Sequence, residues 1–188
     1  MIKFVPTRIS DCYQIEPKIV EDERGRFVKT FHKDIFDAKN LESHFREEYY
    51  TASRQRVLRG LHFQLPPKDH AKLVYCVSGE VIDAVVDLRL GSPTFGQHHV
   101  CRLSVDNAMM MYIPSGMAHG FYVTGVDAIL IYKVTATYSP EHDSGILWSS
   151  VGIQWPDQNP IISGRDRGFV PFDSFVSPFV YQEDKNGQ

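Results

Sequence analysis

Between residues 71 and 134 the chain consists of short apolar runs with period-two alternation, each cut off by Gly, Ser or Pro. AKLVYCV alternates, Ser78-Gly79-Glu80 reads as a tight turn, and VIDAVVDLR returns as the partner strand. LGSPTFG follows as a loop. VCRLSV, MMMYIP, HGFYVT and AILIYKVTATY read as further strands, with PSGMAHG as a turn. Runs this short cannot bury a face alone, so they must stack as a sandwich or close into a barrel. The predicted class is all-β, with residues 1–188 forming one domain. One helix of some length is expected over 33–45 (KDIFDAKNLESHF), where positions 35, 36, 38, 41 and 45 are apolar. Short helical turns are expected beyond Tyr138, and a polar tail (QEDKNGQ) from about residue 182. No repeat with a period of 20–50 residues is visible.

Composition narrows the partners. At 188 residues the chain has room for one sizeable core, since domains run to roughly 100–200 residues. Twenty Lys and Arg against 23 Asp and Glu give a net charge of −3, which argues against a broad basic face for nucleic acid. Local cations can still gather around a small anion. MIKFVPTRIS lacks an apolar leader core, and no run of ~18 apolar residues occurs, so neither export nor a membrane span is expected. Cys12, Cys76 and Cys101 are odd in number and form no CxxC pair. That pattern fits a reducing cytoplasm better than a disulfide framework or a zinc site.

Several residues stand where chemistry is possible. His62 lies in VLRGLHFQ, ahead of the Pro-rich loop LPPKDH; alone, it reads as a half-buried strand histidine bonded to backbone. Lys72 shares strand parity with Val74 and Cys76, so it either snorkels out or points into a cavity. MYIPSGMAHGF carries His119 at the end of a Pro-x-Gly-x-x-His turn, which resembles the second motif of cupin jelly rolls, where the histidine faces the barrel interior. The first cupin motif would add a His-x-His pair and a Glu, but position 64 is Gln. Two histidines without a matching acid fall short of the three or four ligands a transition metal needs. The expectation is a barrel without a metal or other cofactor, working by proton transfer and fixed charge. In AILIYKVTATY the even-numbered Tyr132 and Tyr138 should share a face. Arg24 and Arg59 each stand beside a glycine; Arg59 and His62 should face opposite sides unless Gly60 permits a bulge.

VLRGLHFQ, AKLVYCVSGEVIDAVVDLRLGSPTFG, YIPSGMAHGF and the late YSPEHDSGILW, IQWP and IISGRD together resemble the dTDP-4-dehydrorhamnose 3,5-epimerase family over about residues 15–170. The resemblance implies a metal-free cupin enzyme acting on nucleotide-linked 4-keto-6-deoxyhexoses, normally as a homodimer. By position it implies His62 as general base, Asp166 as its paired carboxylate and Tyr132 as the acid on the opposite sugar face. Lys72 and His119 fall at sugar contacts, Arg24, Arg59 and Arg165 at substrate and phosphate contacts, and Tyr138 against the base. A C4 ketone makes the C3 and C5 protons removable because the carbanion becomes an enolate. A histidine of pKa ~6.5 suits the removal, a buried carboxylate fixes its tautomer, a lysine steadies the enolate oxygen, and a phenol returns the proton.

The departures fall on substrate contacts. Lys29 stands where the family usually has a Glu near the nucleotide base, and Glu47 and Tyr49 replace a Gln-x-Asn pair. Arg56 replaces a Gly, and Asp143 a longer acid. Thymine offers an N3–H donor that a Glu can accept, whereas a Lys only donates; cytosine offers acceptors. The resemblance implies a dTDP sugar as substrate, while a Lys at position 29 would suit cytosine better; a CDP sugar, a one-carbon epimerisation and a non-catalytic sugar-nucleotide-binding cupin stand as alternatives.

Overall fold

A computed structural model describes residues 2–182; the expected polar tail lies almost wholly outside the described residues. The strands, in chain order, are β1 (Lys3–Pro6), β2 (Tyr13–Glu16), β3 (Ile19–Asp22), β4 (Gly25–Val28), β5 (Glu47–Ser53), β6 (Leu58–Gln64) and β7 (Lys72–Ser78). They continue as β8 (Glu80–Asp87), β9 (His98–Ser104), β10 (Met110–Ile113), β11 (Met117–Val123), β12 (Ala128–Val134) and β13 (Asp143–Gly145). Helix α1 covers Lys33–Asp37 and α2 covers Gly164–Arg167, followed by a 3₁₀ turn at Phe172–Ser174.

The strands form a six-stranded sheet ordered β1-β2-β10-β7-β12-β5 and a five-stranded sheet ordered β13-β6-β11-β8-β9, all neighbours antiparallel. Val74 and Cys76 of one sheet meet Val81, Val85, Phe121 and Val123 of the other in the central core. The all-β expectation holds for a local reason. β7 and β8 are joined across Gly79, whose positive φ of 75° turns the chain at once, and alternating side chains on each strand then find the facing sheet. A second cluster under Trp155 and Phe179 and a third around Phe36 and Tyr112 seal the outer faces.

Two local expectations are corrected. The helix over 33–45 is only the five residues of α1. Asn40 enters the left-handed region at φ 55°, and the Leu41 N–H turns back to the Phe36 carbonyl, a C-terminal cap that stops the helix. Phe31, Phe36 and Phe45 instead pack as an aromatic cluster, ring centroids 5.0 and 5.1 Å apart around Phe31. The strand read through Tyr138 ends at Val134, where Thr135 N–H crosses to the Ala71 carbonyl. Tyr138 therefore lies beyond the strand, and its parity with Tyr132 has no meaning. The turn after β10 is shorter than PSGMAHG, because Met117, Ala118 and His119 already belong to β11.

Candidate active site

The site lies between the sheets at one open end of the central core. His62 comes from β6 and His119 from β11 of the five-stranded sheet; Lys72 on β7, Tyr132 on β12, and Tyr49 on β5 come from the six-stranded sheet. These five line an inner chamber of about 200 Å³ together with Thr51, Arg59 and Arg165. An outer chamber of about 330 Å³ shares Tyr49, His62, Lys72 and Arg165 and adds Glu47, His70, Tyr138 and Asp143.

Arg59 and His62 share a wall because β6 bulges. His62 pairs with His119 and Arg59 with Phe121, so two residues of β6 oppose one of β11 and parity is restored. Gly60 makes this possible. Its φ is +135°, and a side chain there would place Cβ 2.6 Å from the Gly120 Cα. The N–H released by the bulge donates to Asp166 Oδ2 at 3.2 Å. Gly60→Ala is expected to lower stability by about 2–4 kcal/mol through combined overpacking and backbone strain. At about 2–4 °C per kcal/mol for a domain of this size, thermal melting should show a loss of roughly 4–16 °C.

Asp166 reaches His62 from α2, whose Ser163 cap accepts the Asp166 N–H at 3.0 Å. The Leu58 N–H to Ile161 carbonyl bond ties this segment to β6. His62 Nε2 lies 2.9 Å from Asp166 Oδ1 and 2.9 Å from Arg165 Nη2. One nitrogen cannot donate to the carboxylate and accept from the guanidinium at once, so the two contacts select opposite tautomers. The carboxylate is 4% exposed and the guanidinium side chain 51%, so the less screened Asp166 dominates and leaves the lone pair on Nδ1. Burial works to raise the Asp166 carboxyl, but the His62 contact, the Gly60 N–H and Ser163 outweigh it and hold it at about 2. Burial pushes the His62 imidazole down, against the pull of Asp166 and with help from Arg165 and Lys72.

Lys72 is buried, with Nζ donating to the His62 carbonyl at 3.1 Å; burial brings it down to about 8, opposed by Asp143 and Asp83. Tyr132 is buried and its phenol is raised well above 10 by desolvation, with Tyr49 and Asp83 adding to the rise and Thr51 and Arg59 opposing it. The structure also brings Glu47 and Tyr138 together, Glu47 Oε2 accepting the Tyr138 N–H at 2.8 Å. Tyr138 Oη donates to Asp143 Oδ2 at 3.3 Å, and Asp143 pairs with Arg165. Arg59 Nε donates to Ser53 Oγ at 2.9 Å.

Arg24 and Lys29 are not brought into this set. Arg24 sits in the β3–β4 turn, 86% exposed and paired with Asp22 at 2.5 Å, and Lys29 is exposed just beyond β4. Among the described residues the β3–β4 ribbon pairs only with itself, and neither Arg24 nor Lys29 lines either chamber of this chain.

Three residues escaped the sequence reading. Asp83 is wholly buried and holds His119, Oδ2 to Nε2, at 2.7 Å; an isolated acid within the apolar run VIDAVVD was the available signal. His70, brought down to about 4 by burial and then by Lys72, lines the outer chamber from a loop whose sequence gave no sign of direction. Gln64 pins the chamber floor by donating to the Lys68 carbonyl at 2.8 Å and accepting the Ser139 N–H at 2.6 Å. Among the described residues no group of three or more His, Cys, Asp or Glu is placed to hold a metal ion.

The chain is similar to known proteins over most of its length. The family model described as dTDP-4-dehydrorhamnose 3,5-epimerase matches residues 6–174. The chain is 43% identical over 178 residues to a dTDP-4-dehydrorhamnose 3,5-epimerase of Shigella flexneri, covering 92% of this chain and 98% of that protein. The crystal structure of a dTDP-6-deoxy-D-glucose-3,5-epimerase from Legionella pneumophila Philadelphia 1, in complex with dTDP-4-keto-L-rhamnose, superposes with a TM-score of 0.92 at 35% identity, covering 97% of this chain and all of that one. A dTDP-4-dehydrorhamnose 3,5-epimerase from Bacillus anthracis str. Ames, with TDP and PPi bound, gives a TM-score of 0.88 at 36% identity, covering 91% and 99%. With a half-buried His62 on a buried Asp166, a lysine and a phenol converging between two facing sheets, and a family match over residues 6–174, the chain belongs to the dTDP-4-dehydrorhamnose 3,5-epimerase family.

Proposed function

We propose that the protein epimerises a dTDP-linked 4-keto-6-deoxyhexose at C3 and C5. The reading rests on one observation above all: His62 and Tyr132 stand on facing sheets across the inner chamber, so a sugar ring held between them meets a base on one face and a phenol on the other. His62 takes the proton from the carbon next to the ketone and becomes imidazolium, donating to Asp166. The C–H electron pair moves into the enolate, whose oxygen the Lys72 ammonium stabilises in the chamber. The Tyr132 O–H bond then breaks, its proton bonds to carbon on the opposite face, and the ketone re-forms. Exchange with solvent returns a proton to the phenolate and removes one from His62. Arg59 and Arg165 supply the fixed positive charge for the diphosphate, and His119 contacts the sugar from its Asp83 anchor.

We also assign the enzyme to the reducing cytoplasm and to a homodimer. Burial raises all three thiols, Cys12 to about 12, in keeping with free cysteines that do no redox work. No helix among the described residues is long and apolar enough to cross a membrane. Ile19, Val20 and Phe27 leave the β3–β4 ribbon with exposed apolar side chains. A second copy would cover them and give Arg24 and Lys29 a route to a neighbouring chain's cavity.

Incubation in D₂O with 4-keto-6-deoxyglucose linked to dTDP or to CDP, followed by NMR, tests the reaction. Deuterium at C3 and C5 with inversion at both is expected for dTDP; incorporation at one carbon only would mean a one-carbon epimerase. The same assay against pH should give a bell. His62 must be neutral to act as base, and its pKa is lowered, so the acid limb should fall below pH 6.5. Lys72 must be charged, so activity should decline through about pH 8, tenfold per unit on each side.

Nucleotide choice is a separate expectation. A Lys29 ammonium facing thymine N3–H opposes donor to donor, an unpaired contact worth roughly 1–3 kcal/mol, or about 5- to 150-fold. Lys29→Glu should tighten dTDP binding by up to that factor in calorimetry and leave CDP unchanged or weaker. Equal affinities in wild type and variant would remove Lys29 from base recognition.

A further inference from the structure

Tyr49 puts an aromatic ring on the cavity wall directly beside the proposed proton donor. The β5–β12 register sets Tyr49 directly opposite Tyr132, so both side chains leave the sheet on the same face. Their rings stack with centroids 4.9 Å apart and planes 11° from parallel. His119 presses on Tyr132 as well, at 6.0 Å and 68°. Tyr132 is 5% exposed, whereas Tyr49 keeps 40% of its surface and lines both chambers. Tyr49 is thus the wall between Tyr132 and the outer chamber.

We propose that Tyr49 is a positioning residue for Tyr132, holding the phenol at the sugar face opposite His62 so that the enolate is reprotonated with inversion. This rests on the functional reading above. A stacked neighbour resists tilting of the Tyr132 ring and keeps outer-chamber water from the phenol. Removing the ring opens that side, and the enolate is then more often reprotonated by His62 from the original face. Exchange continues while inversion falls behind. Burial, followed by Glu47 and Asp143, raises the Tyr49 hydroxyl to about 12, so Tyr49 stays neutral beside the donor through the working pH range.

The test is the ratio of inversion to deuterium exchange, measured on the same substrate for wild type, Tyr49→Phe, Tyr49→Leu and Tyr49→Asn. An aromatic pair of this geometry corresponds to about 2- to 12-fold in conformer occupancy. The ratio should fall by about that factor in Tyr49→Asn and Tyr49→Leu, and Tyr49→Phe, which keeps the stack, should retain the wild-type ratio. A merely structural role would lower exchange and inversion together and leave the ratio unchanged, which overturns the proposal. A Phe variant as impaired in ratio as the Asn variant also overturns it, because the hydroxyl and not the stack would then matter. A wild-type enzyme showing neither exchange nor inversion on dTDP- or CDP-linked 4-keto sugars overturns the functional reading and this proposal with it. Wild-type inversion with unchanged ratios in the variants overturns this proposal alone.

Discussion

His62→Ala should lose deuterium exchange at both C3 and C5 by at least the ~10²–10⁴-fold typical of a positioned general base. The fold should survive, because His62 borders both chambers and, among the described residues, its one aromatic neighbour is Phe169, edge-on at 5.7 Å. A melting temperature close to wild type, with exchange abolished, is the expected pair of results. The competitor for the role is His70, which also lines the outer chamber. At about 4 its imidazole is a weak base, and its Nδ1 is engaged at 3.2 Å with the Lys68 carbonyl. His62 has Asp166 at 2.9 Å to stabilise the imidazolium formed in the step, whereas at His70 the pull of Asp69 is outweighed by burial and Lys72. Exchange at near wild-type rate in His62→Ala would move the base elsewhere in the chamber, and His70→Ala would then be the variant that loses it.

For Tyr132→Phe the expected result differs in kind. The phenol is needed only after the proton has left, so exchange should continue while inversion falls by about 10²–10⁴-fold. A phenol raised well above 10 is a reluctant acid, and that is compatible with the task because an enolate carbon is far more basic. Packing should change little, since Phe keeps the stack on Tyr49 and the edge contact to His119. Equal loss of exchange and inversion would give Tyr132 a part in proton removal as well.

What the sequence by itself determined is what local physics controls. The β7–β8 hairpin was legible because Ser78-Gly79-Glu80 closes it between two alternating runs, and period two needs no distant partner to be read. Parity alone placed Lys72 with Val74 and Cys76, and in the structure Lys72 is buried with them. The Arg59–His62 parity conflict was visible too, with Gly60 named as its way out. The all-β class followed from the short alternating runs over 71–134, each cut off by a turn residue. Helix α1 was overread because apolar spacing at 41 and 45 serves an aromatic cluster from a non-helical segment, and only Asn40 in its left-handed conformation decides that.

Tertiary structure alone decided which groups meet. Asp166 lies more than a hundred residues from the Gly60 N–H it accepts, and α2 must fold under β6 before the pair exists. Asp83 behind His119 depends on the β8–β11 pairing, and the Tyr49–Tyr132 stack on a β5–β12 register that no local pattern encodes. Tyr138 falls beyond the end of the strand its segment suggests, because a strand's length is set by pairing across the sheet and not by the segment alone. Arg24 and Lys29 make the same point in reverse: their motif is plain in sequence, yet their ribbon pairs only with itself and stands apart from both chambers. Side-chain direction is set by backbone periodicity, which sequence carries; convergence across two sheets is set by long-range registers, which only the folded chain supplies.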